Sequence, residues 1–119
     1  LRVQGRKLLP VLRTEFAQWL PKLSYVKVDA EGYDQKILQS ILPVLEVARP
    51  VIRSEVFRKL VASERYALFD LFDALGYDVF HYEYGSETQG RCLARPDMTR
   101  EQHFDVLAIP RKQQSRAAA

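Results

Sequence analysis

The run Ser-Tyr-Val-Lys-Val-Asp at 24–29 is rich in β-favouring residues, and the acidic group Asp29-Ala30-Glu31-Gly32 stops it. Helical spacing then starts at Tyr33, with Ile37, Leu38, Ile41 and Leu42 on one side. A buried strand that ends where a helix begins is one half of a crossover unit. The second half is the β-run 51–57, opened by Pro50 at the one place where a strand readily accepts proline. Two strands joined through a helix are expected to lie parallel with a right-handed connection. This pairing predicts an α/β layer structure.

The rest of the pattern extends that frame. Leu8, Leu12, Phe16 and Leu20 recur every four residues, predicting a helix over 8–20 that Pro21 ends. Pro43 should break or bend the helix at 33–42, with Leu45 and Val47 continuing as a short turn. Leu68, Leu71, Phe72 and Leu75 mark another helix, with Ser63 as its N-cap and Gly76 just past its end. Strands are expected at 77–82 and 104–109. No full helix separates these two, so an antiparallel pair at a sheet edge is expected. The intervening 83–103 is far longer than the usual connection of about 4–6 residues and is expected to be a functional lid. Within it Thr99 and Gln102 are placed to cap one short turn. The expected organisation is a single α/β domain over 1–110 and a disordered tail over 111–119.

Composition narrows the function classes. A chain of 119 residues suits one domain, and 47% hydrophobic residues argue against disorder. Eighteen basic and fifteen acidic residues leave +3, which Arg111, Lys112 and Arg116 in the tail account for. The body is then neutral and carries no basic run, so no nucleic-acid partner is expected. No apolar stretch approaches the roughly 18–20 residues of a membrane helix, and no signal segment opens the chain, so no membrane is expected. Cys92 is alone, which excludes an intrachain disulfide and a cysteine metal cluster and fits a cytoplasmic setting. The chain starts at Leu1 rather than Met and reads as a piece of a longer protein.

Four places offer chemistry. Asp29 and Glu31 sit at a strand's carboxyl end beside a helix N-terminus, where open α/β sheets bind ligands, and Gly32 permits a sharp turn or close approach. Helix capping is the competing explanation for the two acids. Glu55, near the end of the next strand, would converge with them on one crevice. Three carboxylates there can orient a hydroxyl, hold a cation or bind Mg²⁺. Otherwise Glu55 pairs with Arg49 or Arg53. His81 lies within a strand, flanked by Tyr82 and Tyr84, as a general base or a hydrogen-bonded structural histidine. His103, in the long connection, carries less weight, and Cys92 is a plain thiol. The run Gly85–Cys92 imitates a P-loop but lacks its Lys and its Ser/Thr, and no G-x-G-x-x-G loop exists anywhere.

The segment Y-V-K-V-D-A-E-G-Y-D-Q-K-I-L at 25–38 resembles FkbM-type methyltransferases, which run lysine, apolar, Asp, apolar, Glu, Gly, then an acidic residue and a leucine. The match continues with R-P-V-I-R-S-E-V at 49–56, the G-Y strand at 76–80 and F-D-V-L-A-I-P at 104–110. Ser40 departs from the glycine often found after that leucine. The resemblance implies a class I S-adenosylmethionine-dependent fold, a seven-stranded sheet whose final strand is antiparallel. This chain would hold strands four to seven, as a fragment without the glycine-rich cofactor loop, which would precede Leu1. A possible consequence is self-association through the exposed edge of the 24–29 strand.

The implied activity is O-methylation of a small hydroxylated acceptor, a sugar or secondary metabolite, with S-adenosylmethionine as donor and no metal. Asp29 and Glu31 would be catalytic, Asp29 taking the hydroxyl proton and Glu31 positioning the turn. Glu55 and His81 would contact the acceptor, while Asp29 and Gly32 would border the cofactor. Two other classes compete: a non-catalytic binding module that keeps the half-sheet, and a metal-assisted hydrolase or phosphotransferase built on the three carboxylates.

Overall fold

Three chain segments with β-favouring alternation run in one direction, and the last ordered strand runs against them. In a computed structural model, residues 1–85 and 89–112 are described. The strands are β1 (Tyr25–Lys27), β2 (Val51–Val56), β3 (Tyr77–Tyr82), β4 (Gln89–Cys92) and β5 (Phe104–Pro110). They form one sheet in the order β1-β2-β5-β3-β4. β1 pairs parallel with β2, and β5 pairs antiparallel with both β2 and β3. The α/β class and both expected pairings are therefore present.

One placement differs from expectation. The β3–β5 pair is not at an edge, because β5 slots between β2 and β3 while β4 takes the outer place. Open strands on both sides leave β5 twice the hydrogen-bonding partners an edge would provide. The strand expected at 24–29 is also shorter and not buried: Tyr25 and Lys27 are exposed. Among the described residues no strand lies outside β1, so its outer edge has no strand partner there.

The helices are α1 (Leu8–Glu15), α2 (Asp34–Ser40), α3 (Leu42–Ala48) and α4 (Ala62–Ala74). α1 stops short of Pro21, whose ring would clash with the carbonyl four residues earlier if the helix ran on. Pro21 sits instead inside a 3-10 turn, Leu20–Lys22. Pro43 does more than bend a helix. It stands in the first turn of α3, where its missing N–H costs nothing, so two helices replace one helix and a short turn. Ser63 falls inside α4; the N-cap is Val61, whose N–H donates to Glu64 Oε1 at 3.2 Å. Gly76 ends α4 as expected. No helix among the described residues is long and apolar enough to cross a membrane.

The core lies on one face of the sheet. Ile52 and Val56 of β2, Val106 and Ala108 of β5, and Tyr77 and Val79 of β3 meet Leu38, Leu45, Leu68 and Phe72 of the helices. Alternation turns Arg53 and Glu55 of β2 to the other face, where Arg53 Nη2 reaches Asp105 at 2.8 Å and stacks 3.8 Å over Tyr82.

The expected lid at 83–103 is instead built into the fold. β4 lies on β3, Leu93 and Met98 are buried, and Arg95–Thr99 is a 3-10 turn. Its cap is Asp97, accepting from Ala94 N–H at 2.7 Å, rather than Thr99 with Gln102. Gly90 permits the pairing: a Cβ there would sit 2.7 Å from the His81 carbonyl oxygen and from Glu83. Residues 86–88 of the P-loop look-alike lie outside the described residues, and Gln89–Cys92 is strand, not a loop before a helix. At the other end the fold extends to Arg111, which binds Asp73, Tyr77 O and Asp78. Most of the expected tail, 113–119, lies outside the described residues.

Arg65 of α4 fixes this excursion. Its guanidinium is buried and donates to the carbonyl oxygens of Phe57, Leu60, Met98, Glu101 and Gln102. A single side chain thus ties the end of β2 to the segment before β5. Replacing it by Met keeps bulk and strands these carbonyls. Arg65→Met is expected to lose about 3 kcal/mol of unfolding free energy in urea titration. Amide exchange in 95–103 should quicken in the same variant.

Candidate functional site

The C-terminal ends of β1, β2 and β3 lie at one end of the sheet, together with the start of antiparallel β5. The order of strands therefore brings Asp29, Glu55, His81, His103 and Asp105 to that end. Which of them meet depends on the turn after β1 and on strand alternation.

The turn is tight. Tyr33 N–H donates to Ala30 O at 3.2 Å, and both residues between have positive φ, Glu31 at 50° and Gly32 at 101°. Glycine tolerates that backbone, and Glu31 adopts it as a side chain rarely does. A Cβ on Gly32 would meet Leu60 and Phe57, each at 3.4 Å. The glycine thus packs the turn against the segment after β2.

Asp34 holds the turn in place. Its Oδ1 accepts from Ala30 N–H at 2.9 Å, and its Oδ2 accepts from Ser54 Oγ at 2.9 Å and Glu55 N–H at 2.8 Å. Asp34 is 1% exposed, so these three donors stand in for water. The helix-capping explanation for Asp29 and Glu31 fails: α2 has no side-chain cap from either, and the acid in its first turn is Asp34. Asp29 and Glu31 are exposed instead.

Glu55 is brought to Asp29. Its side chain is 12% exposed, and the anticipated pairing with Arg49 or Arg53 does not form. Arg49 binds the carbonyls of Leu75 and Gly76, and Arg53 binds Asp105. Burial is the main force pushing Glu55 up to about 7, followed by its hydrogen bond with Asp29 and the charges of Asp29, Asp34 and Asp105. A protonated Glu55 donating to Asp29 explains how Oε1, buried and otherwise without a partner, is satisfied.

His103 completes the group and outranks the weight its loop position suggested. Its Nε2 lies 3.6 Å from Glu55 Oε2, and its Nδ1 accepts from Arg58 N–H at 3.3 Å. The sequence holds one clue, its position directly before the last strand, whose start must lie beside the end of β2.

His81 does not join Glu55. Alternation along β3 sets it opposite Val106 on the helix-covered face, where it stacks on Phe104 with centroids 5.4 Å apart and planes 4° from parallel. Glu83 and Glu101 carboxylates lie 2.8 Å from its two ring nitrogens, off the direction of the N–H bonds. His81, Glu83, Tyr84, Glu101, His103 and Asp105 border a shallow cleft of about 230 Å³ with Tyr82 and Phe104. Cys92 is exposed and free. Among the described residues no group of three or more His, Cys, Asp or Glu is placed to hold a metal ion.

The carboxyl pair has a measurable signature. The folded protein keeps the Glu55 proton up to about pH 7, whereas the unfolded chain releases it near 4.5. The folded state binds more protons in that window, so stability falls as pH rises from 4.5 towards 7 and stays reduced above it. Glu55→Gln removes the charge and keeps a donor for Asp29. The variant should gain on the order of 2 kcal/mol at pH 8 and little at pH 4.5, read by urea unfolding at both values. Comparison with family models, with curated proteins and with solved structures found no match to this chain.

Proposed function

We propose that this chain forms the acceptor side of an S-adenosylmethionine-dependent O-methyltransferase acting on a hydroxyl of a sugar or polar secondary metabolite. The Asp29–Glu55 carboxyl pair carries this reading. It stands at the C-terminal ends of parallel strands, and neither acid is neutralised by Lys or Arg among the described residues. The topology supports it too: three strands share a direction and the final one opposes them, as the FkbM-like pattern implies. β1, β2, β3 and β5 would be strands four to seven of that sheet, with β4 an addition.

The donor's chemistry suits the residues present in one respect. S-adenosylmethionine supplies a methyl group on a positively charged sulfur. Asp29 and Glu31 are exposed carboxylates able to attract such a cation, while Gly32 is packed against Phe57 and Leu60 and contributes no cradle. Asp29 is therefore the cofactor-facing residue of this chain.

Displacement at a methyl carbon needs alignment above all, and the tight turn and Asp34 hold Asp29 in one place. Asp29 also takes the proton of the acceptor hydroxyl as the new bond forms. Glu55 steadies Asp29 from behind. The surrounding carboxyl groups disfavour an anionic acceptor, which fits a neutral hydroxyl. Metal-assisted hydrolysis draws no support from the placement of His, Cys, Asp and Glu among the described residues.

Asp29→Asn keeps shape and removes the base. In the enzyme carrying the glycine-rich loop, it is expected to lower kcat about a hundredfold or more, measured by transfer of labelled methyl to a panel of hydroxylated sugars. Wild-type turnover would remove Asp29 from the role. These 119 residues alone, without that loop, should bind S-adenosylmethionine only weakly by calorimetry.

A further inference from the structure

We propose that His103 is a positioning residue that grips Glu55 Oε2 and so aims the protonated Oε1 of Glu55 at Asp29. The catalytic meaning of this arrangement rests on the reading above; the arrangement itself does not.

The geometry assigns each proton in turn. Arg58 N–H occupies His103 Nδ1, and the Phe57 ring meets the imidazole edge-on, centroids 5.9 Å apart and planes at 76°. A neutral imidazole whose Nδ1 accepts carries its hydrogen on Nε2. That nitrogen faces Glu55 Oε2 at 3.6 Å, a gap that a small side-chain rotation closes. With Oε2 accepting from His103, the hydrogen of Glu55 belongs on Oε1, which is buried and has no other partner.

The groups around Glu55 leave one direction for it. Asp29 faces it from the turn after β1, Asp34 from α2, Asp105 from β5 and His103 from the segment before β5. Asp34 accepts from Ala30, Ser54 and Glu55 N–H, Asp105 accepts from Arg53 through Oδ2, and both act on the Glu55 carboxyl through their charge. Of these three acids only Asp29 is within hydrogen-bonding reach of the Glu55 side chain. Donors then run from Arg58 N–H to His103, to Glu55, to Asp29, and the chain ends on an exposed carboxylate.

S-adenosylmethionine, when bound, would supply the methyl group to the acceptor oxygen and keep the electron pair of the broken carbon–sulfur bond on its sulfur. The hydroxyl proton goes to the Asp29 oxygen that Glu55 does not hold. His103 touches neither reactant and works through Glu55.

The test is an NMR titration of the full 119-residue chain, with no cofactor or acceptor added. The ¹⁵N shifts of His103 should report the Nε2–H tautomer in the wild-type protein. In His103→Phe, loss of the donor should make Glu55 hold its proton about threefold or more tightly, read from its side-chain carboxyl ¹³C shift against pH. His103→Gln, which restores an N–H, should return the midpoint towards wild type. An Nδ1–H tautomer would overturn the proposal, as would an unmoved Glu55 midpoint in folded His103→Phe. The wild-type tautomer is read without any substitution, so a variant that fails to fold still leaves a decisive result. Failure of Asp29→Asn to slow methyl transfer would count against the methyltransferase reading and leave these titrations unaffected.

Discussion

The carboxylate of Asp34 joins the turn after β1 and the adjoining start of α2 to the end of β2, 20 and 21 positions further on. It is buried, and each of its bonds is charge-assisted, so each is stronger than a bond between neutral groups. Because one of the donors is the amide of Glu55 itself, the two strands cannot slide without breaking it. The separation between Asp29 and Glu55 is thereby set by a residue that takes no part in their chemistry. Arg65 plays the matching role on the other side, where five carbonyl oxygens converge on one cation and bring His103 to the same end of the sheet. An anion holding N–H groups and a cation holding carbonyls frame the site from two directions.

The positions of β1, β2, β3 and β5 were legible because each is a short run of β-favouring residues closed by Gly, Pro or acids. Parallel pairing of the first two followed from the helices between them. The place of β5 was not legible, since insertion between β2 and β3 depends on which open edges remain after the rest has folded. β4 was hidden for a local reason: Gln-Gly-Arg-Cys has no strand propensity, and only contact with β3 makes it extended. Arg65 reads as an ordinary surface residue of a helix, and its burial depends on carbonyls of Met98, Glu101 and Gln102, more than thirty positions away, as well as on Phe57 and Leu60 nearby.

The site was half legible. Asp29 and Glu55 could be foreseen because two parallel neighbours put their strand ends together. Glu31 and Gly32 shape the turn through their positive φ angles, as the glycine there suggested. His81 fell to the wrong face because alternation is counted from a register that only pairing with β5 defines: Val106 stands between His81 and Ser54 on the buried side. Asp34 lies in the first turn of α2, where the helix dipole alone would be reason enough for an acid. That it reaches across to β2 is a tertiary fact.

The central position of β5 also governs the order in which the molecule can form. Arg53 finds Asp105 across 52 positions of chain, so the middle of the sheet cannot close until residues 104–110 are available to pair. Until then β2 and β3 each present an unpaired edge, the condition under which nascent strands mispair with other chains. The residues that join these edges are the same ones that bring His103 against Glu55. Assembly of the proton-holding group thus depends on residues 104–110, and a chain lacking them would possess Asp29 and Glu55 without the strand that brings His103 beside Glu55.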